Sequence, residues 1–166
     1  MSGLDVAKKY FDAWNSRDPE AIVATLAQDG TYEDPTSGGP LSGQALSQYA
    51  GGLISAFPDF SFDLVSAVPA GHEMVAAEWL IKGTNSGPFA GGSPTGKSVA
   101  LLGADFLTVA GDKISSVKGY FDQRTLVEQL GLQVIVQPYS IGSFTFGDSV
   151  RYTPGKRTKP GAFSLT

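Results

Sequence analysis

The sequence has no cysteine and a single histidine, His72, among its 166 residues. The first absence excludes disulfides, thiolate metal sites and a cysteine nucleophile. The second excludes every mechanism that needs a histidine pair or cluster. Charge is scarce too: charged residues make up 17% and the net charge is −4, whereas a nucleic-acid footprint needs a dense basic face. No apolar run approaches membrane-spanning length, and none follows a basic start as a signal segment would. A cytoplasmic protein with neither a membrane nor a nucleic-acid partner is the expectation. Apolar residues, by contrast, are plentiful at 42%. They are enough to bury a sizeable core in one domain.

Helical spacing opens the chain. Ala7, Tyr10, Phe11 and Trp14 fall on one face of a first helix. Asp18 then reads as the N-cap of a second, short helix, with Pro19 at its first position and Ala21, Ile22, Thr25 and Leu26 continuing it. Thr31 to Asp34 reads as a short strand stopped by Pro35 and a glycine-rich loop. A third helix spans about Gln44 to Phe57, with Leu46, Tyr49, Ala50, Leu53 and Ile54 on one side. After Pro58 the period changes to two, predicting strands around Phe60 to Leu64, Met74 to Lys82, Val99 to Val109 and Lys113 to Phe121. Three helices followed by antiparallel strands is an α+β layout, a curved sheet wrapped over helices as a cone with an apolar cavity. Residues 1–132 form this domain. Residues 133–166 differ: Pro138, Pro154 and Pro160 occur with four basic residues against one acid, Asp148. They read as a C-terminal extension: an arm, a hairpin or the start of a second domain.

Asp105 is the most informative residue. On its strand Leu101, Gly103, Asp105, Leu107 and Val109 share a face. An aspartate among them is either neutral or paired, because an isolated buried charge is too costly. With no basic residue on the strand, a raised pKa and a protonated, donating acid is one reading. The other is that this face is open to solvent near a sheet edge. The opposite face, with Ala100, Leu102, Ala104 and Phe106, is equally apolar. Asp34, before Pro35, reads by itself as turn chemistry, and Tyr10 as a core residue with its hydroxyl at the rim.

Spacing joins these residues. The run Tyr10 to Ile22, the segment Asp29-Gly30-Thr31-Tyr32-Glu33-Asp34-Pro35 and the strand Ala104-Asp105-Phe106-Leu107-Thr108-Val109 resemble the corresponding segments of ketosteroid isomerases, in the nuclear-transport-factor-2-like superfamily. Trp79 to Thr84, Pro94 to Lys97, and Gly119-Tyr120-Phe121-Asp122 through Leu132 resemble another branch, the SnoaL-type polyketide cyclases. The resemblance implies a cystatin-like α+β barrel. It implies Asp34 as general base, with Tyr10 and neutral Asp105 as donors to an enolate oxygen, the arrangement known from ketosteroid isomerase. The cyclase branch implies Asp122 as a competing acid/base residue; the residue-level alternative is a helix N-cap before Gln123-Arg124-Thr125. Either branch implies proton transfer next to the carbonyl of a hydrophobic, steroid-like or polyketide substrate, with no cofactor. Relatives of this shape pair through the sheet, so a homodimer is expected, with Leu102, Phe106 and Tyr120 on the outer face. The rival from another class is a non-catalytic ligand-binding or assembly module.

Overall fold

The computed structural model describes residues 1–132, so the extension expected over 133–166 lies outside the described residues. Helix α1 (Gly3–Ser16) starts at a capping box: Ser2 accepts from the Asp5 amide, and Asp5 accepts in return from the Ser2 amide. Its buried face is Val6, Ala7, Tyr10, Phe11 and Trp14. Helix α2 (Pro19–Ala24) is capped by Asp18, whose carboxylate takes the Glu20 N–H. It is shorter than its pattern implies. The Thr25 amide turns back to Ile22, and Leu26 opens strand β1 (Leu26–Glu33) instead, where it is buried opposite Ile114. One six-residue helix gains little from propagation, so burying Leu26 in the sheet wins. Asp34 falls just past the end of β1, in a turn closed by the Ser37 amide on its carbonyl.

Helix α3 (Gly43–Ala56) leads into four sequential strands, β2 (Ser61–Pro69), β3 (Met74–Thr84), β4 (Ser98–Ala110) and β5 (Lys113–Phe121). A fourth short helix, α4 (Gln123–Gln129), follows. The sheet order is β1-β5-β4-β3-β2; β2 to β5 pair antiparallel and β1 joins β5 in parallel. Hairpins force the antiparallel pairs, whereas the long excursion between β1 and β5 leaves a parallel pairing open. The result is an α+β fold: a curved sheet that does not close, packed against helices. Among the described residues no helix is long and apolar enough to cross a membrane.

Helix α1 packs over β2, β3 and β4, and its aromatic face meets Phe62, Val75, Ala77, Trp79 and Leu107 in one buried cluster. The period-two expectation fails at Leu64. It faces the same side as its partner Trp79, yet it is 38% exposed, at the register shift between Leu64 and Ser66 on the edge strand β2. On β4 the alternation is clean. Leu101, Asp105, Leu107 and Val109 are buried, while Leu102 and Phe106 are exposed on the outer face. β4 lies between β3 and β5, so the reading of Asp105 as an exposed edge residue is excluded.

Candidate active site

Asp105 is 3% exposed and projects from the middle of the sheet toward α1. Two donors meet it. The Trp79 indole Nε1 donates to Oδ1 at 2.9 Å, and the Tyr10 hydroxyl donates to Oδ2 at 3.2 Å. The indole reaches Asp105 because Trp79 lies opposite Gly103 in the β3–β4 register. A Cβ at Gly103 would fall on the indole ring itself, so only glycine lets the ring lie across β4. Burial pushes the Asp105 carboxyl up to about 6, and the Trp79 and Tyr10 hydrogen bonds hold it from rising further. Burial, with Asp105 next, likewise raises the Tyr10 phenol well above its usual range.

Asp34 is held by more donors. Its Oδ1 accepts from the amides of Thr36 (2.7 Å) and Ser37 (2.8 Å) and from the Thr36 hydroxyl (3.0 Å). Its Oδ2 accepts from the hydroxyls of Tyr32 and Tyr49, both at 2.6 Å. The amide bonds follow from the turn after Pro35. Tyr32 follows from strand alternation, two residues back on the same side. Tyr49 comes from α3, and its hydroxyl also lies 2.7 Å from Thr36 Oγ1. Burial and the neighbouring Asp34 raise the Tyr49 phenol.

The two carboxyls are neighbours across Gly119. A Cβ there would sit 3.0 Å from Asp105 Oδ1 and 3.3 Å from Asp34 Cβ, so this second glycine leaves the gap between them open. Both acids line one cavity, of about 60 Å³, whose walls are otherwise mostly apolar and include Trp14, Phe60, Phe62 and Phe121. The aromatic rings pack edge to face, as in Phe62–Trp79 at 5.1 Å. Among the described residues no group of three His, Cys, Asp or Glu side chains is placed to hold a metal ion.

The structure thus brings Asp34 and Asp105 to one cavity and Tyr10 to Asp105. Tyr10 itself is fully buried and off the cavity wall, with its hydroxyl spent on the carboxyl. Asp122 is not on the wall of that cavity. It caps α4, accepting from the Arg124 amide (2.9 Å) and the Thr125 hydroxyl (2.6 Å), and these bonds lower its pKa, that of Thr125 foremost. Trp79 and Tyr49 were not singled out from the sequence as site residues. A helix face that includes a tyrosine, and a tryptophan opposite a glycine, are signals only once the partners are known.

Comparison with known proteins agrees with this architecture. The model of the SnoaL-like polyketide cyclase family matches residues 4–130. IdmH, a proposed polyketide cyclase from Streptomyces antibioticus, is 25% identical over 79% of this chain and 99% of that chain, with a TM-score of 0.66. AclR, a proposed hydroxylase from Streptomyces galilaeus, is 23% identical over 78% and 80%, with a TM-score of 0.68. A protein with a ketosteroid isomerase-like fold from Catenulispora acidiphila, solved in complex with trimethylamine, is 23% identical over 76% and 92%, with a TM-score of 0.65. No curated protein matches the chain in sequence.

Proposed function

The chain belongs to the SnoaL-like polyketide cyclase family, within the nuclear-transport-factor-2-like superfamily, and from that premise we propose a cofactor-independent enzyme that moves a proton on the carbon beside a carbonyl. One observation carries the reading: two carboxyls, Asp34 and Asp105, flank Gly119 in an apolar cavity, and burial pushes one of them up to about 6. Groups with such pKa values are poised to exchange protons near neutral pH. Asp34 removes the α-proton. To do so its Oδ2 gives up one donor, and Tyr49 is the one with another acceptor at hand, Thr36 Oγ1. Protonated Asp105 donates a hydrogen bond to the carbonyl oxygen as charge develops there. Tyr10 and Trp79 orient that carboxyl, and because the indole can only donate, it fixes Oδ1 as an acceptor on that edge in either protonation state.

The enolate then takes one of two courses. Reprotonation at a conjugated carbon gives isomerisation, and attack on a second carbonyl carbon, whose oxygen takes up a proton, gives aldol closure. The mostly apolar wall suits a steroid-like or polyketide substrate. A second copy of the chain is the partner proposed for the sheet's outer face, where Leu102, Phe106 and Tyr120 are exposed.

A screen of 5-ene-3-ketosteroids and linear polyketide esters tests the reading, with wild type beside Asp34→Asn. Loss of turnover by about 10²–10⁴-fold in the variant is expected of a general base. Full turnover in the variant would move the base elsewhere, with Asp122 the first alternative. The five donors on Asp34 favour one other reading, a ligand-binding module in which that carboxylate is structural. Binding without turnover across the screen would support it.

A further inference from the structure

The inner cavity is small for any ring-bearing substrate. Its volume is about 60 Å³, whereas an apolar cavity of about 150 Å³ is known to accept one benzene ring. Outside it lies an open groove of about 1020 Å³. Thr36, Tyr49, Leu53, Phe89, Phe121 and Leu126 line both spaces. Of these, Tyr49 and Leu53 stand on α3, Phe121 on β5, Leu126 on α4, and Thr36 in the turn tied to Asp34. Phe89 alone rides on the long connection between β3 and β4, residues 85–97.

That loop is fastened at its feet. Asn85, 1% exposed, donates from Nδ2 to the carbonyls of Gly87 (2.8 Å) and Ala56 (3.3 Å), and its Oδ1 accepts from the Thr95 amide (2.8 Å). Its backbone pairs with Lys97 and Gly96, and the amides of Ser86 and Gly87 reach the end of α3 at Ala56. The tip is different. Phe89 and Gly92 exchange backbone hydrogen bonds around a two-residue turn in which Ala90 (φ 48°) and Gly91 (φ 76°) are both left-handed. An alanine held there is strained, because its Cβ crowds the following carbonyl oxygen. Among the described residues, residues 88–92 make no other backbone hydrogen bond, and the Phe89 ring meets Phe57 edge-on at 5.5 Å. Rigid feet and a strained, lightly held tip put any movement of the wall at Phe89.

We infer that Phe89 is the gate between groove and cavity and the residue that selects substrates by size: a ring-bearing apolar ketone reaches the two carboxyls only when the tip lifts the Phe89 ring off Phe57. This rests on the reading of the cavity as the substrate site. The chain's two tryptophans, Trp14 and Trp79, both line the inner cavity, so their fluorescence reports its occupancy. Mixing 1-tetralone with the protein in stopped flow should give a quenching rate that levels off with ketone concentration in wild type, because opening limits entry. In Phe89→Ala the rate should rise linearly and exceed wild type by about tenfold, with Phe89→Leu between them. Equal rates and affinities in all three, or no quenching in any, would overturn the gate. Deuterium exchange at the α-carbon of 1-tetralone in D2O, read on the same samples, separates the two claims. A gating effect without exchange sinks the enolisation reading alone, and exchange without a gating effect sinks the gate alone.

Discussion

Replacing Asp105 with asparagine should stabilise the folded protein at neutral pH and remove part of its pH dependence. Burial moves the carboxyl from an ordinary 3.8 to about 6 in the fold. Between those values the folded chain keeps a proton that the unfolded chain has released, so raising the pH favours unfolding. The contribution of this group is therefore full below about pH 4, is lost as pH rises through 6, and is flat above. At 1.36 kcal/mol per pH unit the loss is about 3 kcal/mol. Asparagine has no such proton. Its Oδ1 can accept from the Trp79 indole, and its Nδ2 can donate to Tyr10 once the phenol turns its own proton away. Urea unfolding of both proteins from pH 4 to 8 checks this. The curves should nearly coincide at pH 4 and separate by about 3 kcal/mol, variant above wild type, by pH 7. All other titrating groups are shared and cancel in the difference. A gap that stays constant from pH 4 to 7 would refute a buried, proton-holding Asp105.

On the proposed mechanism the same proton also governs rate. If protonated Asp105 is the donor, kcat/KM should fall about tenfold per unit above pH 6 in wild type; a rate that instead climbs to a plateau above 6 would make Asp105 a base. Gly103→Ala drives a methyl group into the Trp79 ring and should cost about 1–3 kcal/mol as overpacking. It should also change the near-ultraviolet circular dichroism of tryptophan, and an unaltered spectrum and urea midpoint would mean the indole does not lie across β4. Disrupting the outer face with Phe106→Asp should turn a dimer into a monomer in light scattering, whereas a wild type already monomeric would remove the proposed partner.

Much of the frame followed from local pattern. The first helix face, the Asp18 cap and the strand Lys113–Phe121 are set by neighbours within a few residues, and period and capping encode such neighbours directly. Strand alternation also put Asp105 on one face with Leu101, Leu107 and Val109. Whether that face was wet depended on the place of β4 in the sheet, which alternation does not contain. The partners of the acids were further out of reach. Tyr10 lies 95 residues from Asp105, Trp79 lies 26 residues away, and Tyr49 reaches Asp34 from another helix. Cross-strand register decides the Trp79 contact, since a slip of one residue would turn the indole to the outer face and leave Asp105 with one donor. The sequence by itself determined which residues could be buried and where an acid would be out of place among them. Only the tertiary structure decided that Trp79 and Tyr10 satisfy that acid and that Gly119 leaves it beside Asp34, because partners so far apart in the chain are chosen by packing in space and not by spacing along it.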